Sequence, residues 1–126
     1  MTRTIIHTLD APAPPPIYSQ AVKANGFIFV SGTGPFDAAT GEVVGDSIGV
    51  QTAQCFRNIR AILASEGRTL DDVVSATFIL WDEADFAGMN AEWTKWFPTN
   101  PPARQGAKLP IHPRGQRISI AVIAVA

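Results

Sequence analysis

Apolar positions along this chain recur with two different periods, and the changes of period mark its elements. Thr52, Cys55, Phe56, Ile59, Ile62 and Leu63 fall three and four residues apart, with Gln51, Arg57, Asn58 and Arg60 mostly on the other side. That is the spacing of a helix with one buried face. Asp46 or Ser47 can cap it, it should run to about Glu66, and Gly67 supplies a C-terminal stop. A second helix is expected from Asp82, where Asp85 favours the N-terminus, with Phe86, Met89, Trp93, Trp96 and Phe97 as its apolar stripe and Pro98 as its end. The Trp93 and Trp96 pair reads as core or subunit interface rather than as a cofactor box.

The other apolar runs read as strands. Residues 2–9 mix Thr with Ile5 and Ile6, and residues 22–24 and 27–31 flank Asn25-Gly26, which supplies the two positive φ angles of a tight hairpin. Residues 73–81, 103–108 and 117–125 complete the set. Pro12, Pro14, Pro15 and Pro16 form an extended connector, and residues 37–45 a turn-rich excursion. Gly32 and Gly34, in Ser31-Gly32-Thr33-Gly34-Pro35, predict a tight turn after a strand, since no P-loop lysine or full dinucleotide pattern follows. Helices gathered on one face of a mixed sheet make an α+β two-layer fold, a single domain over residues 1–126. In the last strand Ile118, Ile120, Val122 and Ala124 face one way and Ser119, Ala121, Ile123 and Val125 the other. Two helices cover only one sheet face, so the second, too apolar for water, should meet other subunits.

Composition narrows the function classes. The chain has 126 residues, 46% of them hydrophobic, one cysteine, and 10 Lys plus Arg against 11 Asp plus Glu. Folding removes roughly two-thirds of the unfolded surface at this length, so no disulfide or structural metal is needed. The net charge of −1 argues against a nucleic-acid binder held by phosphate contacts. The N-terminal residues lack the apolar stretch of a secretory signal, and the longest apolar run, 118–126, is too short for a bilayer. The expectation is a cytoplasmic protein with no membrane partner.

No His, Cys and carboxylate cluster has metal-ligand spacing, so no metal or cofactor is expected. His7 and His112 read as surface or packing histidines, and Cys55 as a small buried hydrophobe. The placement of charge is more informative than its sum. Glu92 is the last acid, and Lys95, Arg104, Lys108, Arg114 and Arg117 follow it. An anionic ligand, or acids from elsewhere in the fold or from another subunit, must balance this end. Arg104 follows Pro101-Pro102-Ala103, which stiffens the backbone, and its planar guanidinium suits two-point recognition of a carboxylate. A solvated or salt-bridged arginine is the alternative. Lys108 should share a strand face with Arg104, their Cα atoms about 13 Å apart.

A series of short motifs then accumulates in order: Tyr18-Ser19-Gln20-Ala21, Phe29-Val30-Ser31-Gly32 with Pro35, Thr40-Gly41-Glu42-Val43, Gln51-Thr52, Asn58-Ile59 and Leu70-Asp71-Asp72-Val73-Val74. Asp85-Phe86-Ala87 with Asn90, and Pro101-Pro102-Ala103-Arg104, complete it. Through them the chain resembles the Rid family, also called YjgF/YER057c/UK114, over nearly its whole length. The resemblance implies a chorismate-mutase-like α+β fold assembled as a homotrimer with clefts between subunits. It also implies hydrolysis of 2-imino acids, or their enamine tautomers, to 2-keto acids and ammonia.

Residue by residue, the resemblance gives Arg104 as the clamp on the substrate carboxylate, Tyr18 as a pocket residue, and Ser31 and Asn90 as substrate-binding residues. Typical deaminases of the family carry Glu-Ile-Glu in the final strand, where this chain has Ser119-Ile120-Ala121. Ser119 thus replaces the glutamate thought to position the attacking water, and a hydroxyl is no general base near neutral pH. Tyr18, Ser119 or a backbone carbonyl would have to orient that water. Gly106 joins the substrate-binding set as a residue bare of side chain near the arginine, and with Lys108 it suggests a bulkier or doubly anionic substrate. The alternative is a family member that keeps the carboxylate site without hydrolysis, as a binding or regulatory module.

Overall fold

The computed structural model describes residues 2–110 and 115–126. Six strands and two helices follow one another as β1 (Arg3–Ile6), β2 (Ala21–Ala24), β3 (Phe27–Thr33), α1 (Ile48–Ala64), β4 (Val73–Leu80), α2 (Phe86–Trp96), β5 (Ala103–Lys108) and β6 (Ile118–Val125). They make one mixed sheet in the order β1-β2-β3-β6-β4-β5. All neighbours are antiparallel except β4 and β5, which run parallel through the α2 crossover. His112 and Arg114 lie outside the described residues.

Local chemistry explains the boundaries. Asn25 and Gly26 adopt φ of 53° and 83°, and β2 folds back on β3 through them. Ser47 caps α1, its hydroxyl accepting from the Val50 N–H, and Gly67, at φ 71°, turns the chain away beyond the helix end. The second helix starts later than its sequence pattern predicts. Asp82 caps a short 3-10 turn, Glu83–Asp85, and α2 proper begins at Phe86.

Both helices cover one face of the sheet. Ile28, Val30, Ala76, Phe78, Leu80, Ile118, Ile120, Val122 and Ala124 bury that face against Phe56, Ile59, Leu63, Met89 and Trp93. Full burial of one such large side chain contributes about 1.5–3 kcal/mol. Cys55 is buried among them, and loss of water pushes its thiol far above the ordinary cysteine range. Two polar residues expected on the outside of α1 prove buried instead. Gln51 Nε2 donates to the Gly45 and Gly115 carbonyls while its Oε1 accepts from the Arg117 N–H. Asn58 Nδ2 donates to the carbonyls of Gly34 and Phe36. Helix α1 uses these amides to pin the loops beside it, which gives buried polar groups their partners.

The opposite sheet face stays open, with Ile5, Phe27, Phe29 and Val125 between 39% and 53% exposed. The edge strand β5 is exposed at all six positions. Acids from earlier in the chain answer two of the C-terminal cations: Glu92 pairs with Lys95 and Asp85 with Arg117, each at 3.2 Å.

Candidate functional site

Arg104 is placed by the parallel register of β5 on β4, which pairs it with Ala76 and pairs Gly106 with Phe78. Ala76 and Phe78 are buried beneath the helices, so Arg104 rises on the helix side. Its guanidinium carbon lies 4.9 Å from the ring centre of Trp93, 5.0 Å from Phe78 and 5.8 Å from Phe86. One nitrogen, Nη1, donates to Asn90 Oδ1 at 2.8 Å. The π-faces and a neutral amide oxygen hold the cation without cancelling its charge. Among the described residues Arg104 has no carboxylate partner. It therefore presents an uncompensated positive charge with spare donors on an exposed edge strand.

Gly106 does not leave room for a ligand. A Cβ at that position would stand 2.2 Å from Phe78 Cζ, so the Phe78 ring already fills the space. This corrects the expectation that the bare glycine enlarges the substrate site.

A second feature is a cleft of about 730 Å³ around the Ser31–Gly32 segment. The pairing of β3 with β6 slips between Val30 and Thr33, and the bulge carries Ser31 and Gly32 into the cleft wall. Gly32 thus sits inside a strand rather than in the tight turn that its sequence predicts. A Cβ on it would lie 3.1 Å from Ser119 Oγ. The proline segment borders the cleft because buried Gln20 holds it, with Nε2 donating to the carbonyls of Thr8, Ala11 and Pro12 and Oε1 accepting from the Thr8 N–H. Tyr18 follows that segment and also lines the cleft. Ser31 Oγ donates to the Ser19 carbonyl at 2.6 Å, and Thr33 Oγ1 to the Ser31 carbonyl at 2.8 Å. Ala38, Ala39, Thr40 and Gly41 form the remaining wall, and Asp37, behind it and outside the lining, accepts from the Ala39 and Thr40 N–H groups. The Thr40 and Ala39 amides hold its carboxyl below the usual aspartate range.

Phe36, Ile79, Trp81 and Gln116 complete the cleft, and among the described residues no Asp, Glu, His, Lys or Arg lines it. Such a lining can orient water through hydroxyls and carbonyls and relay a proton, but it holds no strong base. The described residues gather no three His, Cys, Asp or Glu side chains around a possible metal. Among them, no helix is long and apolar enough to cross a membrane.

The residues expected to form one site therefore fall into two places. Tyr18, Ser31 and Ser119 meet in the cleft, whereas Arg104 and Asn90 meet on the helix side. Ser119 pairs with Ile79 and Arg104 with Ala76, which sets their Cα atoms two strands apart and three residues along, about 14 Å, on opposite faces. A single chain cannot bring both to one small carboxylate. Sequence reasoning missed Phe36, Gln116 and Trp81 as cleft residues. Trp81, a large aromatic just past the end of a β-rich run, was the one with a readable signal.

Residues 8–126 match the family model described as Endoribonuclease L-PSP. A RutC family protein of Pyrococcus horikoshii is 41% identical over 122 residues, covering 97% of each chain. The chloroplastic Reactive Intermediate Deaminase A of Arabidopsis thaliana is 37% identical over 122 residues, covering 97% of this chain and 65% of that one. Among solved structures, E. coli TdcF with bound serine superposes with a TM-score of 0.90 at 28% identity, covering 98% of both chains.

Proposed function

Because this chain belongs to the Endoribonuclease L-PSP family, the YjgF/Rid family, we propose that it hydrolyses reactive 2-imino acids, or their enamine tautomers, to 2-keto acids and ammonia. The observation that carries this reading is the Arg104 guanidinium, held by Asn90 and three aromatic rings with its charge unanswered. It is a prepared seat for one carboxylate. The Arabidopsis relative's name supplies the chemistry, and serine in the TdcF structure supplies the ligand size.

The reacting centre then belongs to the neutral cleft of a neighbouring copy. A homotrimer fits the open apolar face carrying Phe27 and Phe29 and the fully exposed β5 edge, both of which a neighbour would cover. Arg104 of one copy holds the carboxylate, and Tyr18, Ser31 and Ser119 of the next surround C2 and its nitrogen. A protonated imine is already electrophilic, so positioning carries most of the rate. Water adds to C2, one of its protons passes through a hydroxyl to the nitrogen, and as the C–N bond breaks and C=O forms the remaining O–H proton follows to the departing nitrogen, which leaves as ammonium. Ser119 and Tyr18 orient the water and relay the first proton.

Coupled assays that generate 2-iminobutanoate or 2-iminopropanoate test the reading. The imine should disappear faster with the protein than without it, and Arg104→Ala should abolish the difference. No acceleration by the unaltered protein would overturn deamination of those substrates. The described cleft lining has no carboxylate or imidazole, and this favours one other reading, a small-carboxylate binding module. Saturable binding of 2-ketobutyrate without turnover would establish that reading in its place.

A further inference from the structure

Resting on the deaminase reading, the geometry points to a narrower substrate class: 2-imino acids with a single negative charge and a large apolar side chain, an aromatic ring above all. In a single copy, before a neighbour brings Arg104 to it, the cleft measures about 730 Å³, within the range of about 300–1,000 Å³ that holds ligands much larger than a methyl group. Tyr18, Phe36, Ile79 and Trp81, with Pro12 and Pro14, give it an apolar lining. No charged side chain lines it among the described residues, so none of those residues would pair with a second carboxylate or an ammonium that lost its water there. Arg104 meets one carboxylate. Lys108 stands four residues further along the same exposed strand, its Cα about 13 Å from that of Arg104, and it does not line the cleft. The doubly anionic substrate suggested by the sequence gives way to a singly charged one.

Gly34 is the device that builds the aromatic wall. A Cβ there would fall 2.4 Å from Phe36 Cε2 and 3.0 Å from Gln116 Nε2, so the missing side chain is what lets ring and amide lie where they do. Asn58 on α1 fixes the same segment by holding the carbonyls of Gly34 and Phe36. Phe36 is thus a specificity-determining residue whose place is set from beneath by a buried helix side chain and from beside by an absent one.

Imines made by an amino-acid oxidase from phenylalanine, leucine, alanine and glutamate test this, alongside titrations with phenylpyruvate, pyruvate and 2-oxoglutarate. The expected kcat/KM is about tenfold or more higher for the phenylalanine-derived imine than for the alanine-derived one, with the glutamate-derived imine slowest. Phenylpyruvate should bind tightest and 2-oxoglutarate weakest. Gly34→Ala, which drives the Phe36 ring from its position, should narrow the ratio between the phenylalanine- and alanine-derived imines. An equal or reversed order of rates overturns this specificity and leaves deamination standing. If no imine is turned over, deamination falls instead, and the order of the three keto-acid affinities decides the character of the cleft.

Discussion

Gly106 and Phe78 compete for one volume: a Cβ on the glycine would meet three carbons of the buried Phe78 ring at 2.2–2.4 Å. The same ring carries the Arg104 guanidinium 5.0 Å from its centre. Gly106→Ala should therefore cost about 1–3 kcal/mol of stability through overpacking and also weaken carboxylate binding by moving the platform of Arg104. Adding Phe78→Val should recover much of the stability loss, because the two substitutions address one clash. Thermal unfolding of the two single variants and the double variant measures the coupling; strictly additive costs would show that the pair does not interlock.

Asn90 acts through Arg104. Its amide oxygen accepts from Nη1 at 2.8 Å and orients the guanidinium without neutralising it. Asn90→Ala should weaken binding of 2-ketobutyrate by several-fold, a loss of about 1 kcal/mol for one hydrogen bond. Asn90→Asp should be worse, since the new carboxylate would pair with the arginine and compete with the ligand. Titration calorimetry on both variants separates this positioning role from simple packing, which would rank the near-isosteric Asp as the milder change.

Ser119 occupies the cleft beside Gly32, and a hydroxyl supplies orientation rather than basicity. Ser119→Ala should reduce turnover only modestly, whereas Ser119→Glu should raise it by about 10²-fold, at the low end of what a positioned base contributes. Rates on 2-iminobutanoate check both. A large loss with alanine would mean that the hydroxyl itself is indispensable.

Much of the fold was legible because its period signals are strong: the α1 stripe, the Asn25-Gly26 hairpin and the two-faced β6 all stand where the pattern puts them. The misplacements share a physical cause, which is that polar side chains and glycines take their roles from tertiary partners. Gln51 and Asn58 look solvent-facing on a helical wheel, yet they are buried to satisfy loop carbonyls. Gly32 reads as a turn but belongs to a bulge, and Gly106 reads as open space but is filled by Phe78. Arg104 stood out through its prolines and its place beyond the last acid. Its separation from Ser119 onto the other sheet face could not be read without knowing that β4 lies between β5 and β6.

That separation leads to the central claim, that Arg104 of one copy works with the cleft of another. Two disabled variants test it directly. Arg104→Ala removes the clamp, and Gly32→Phe fills the cleft beside Ser119. Each should be inactive alone on 2-iminobutanoate. Co-expressed in equal amounts and assembled at random, they should regain about a quarter of the unaltered rate, because one junction in four then joins an intact clamp to an intact cleft. A mixture that stays as inactive as its components, despite proven subunit mixing, would contradict a site shared between copies.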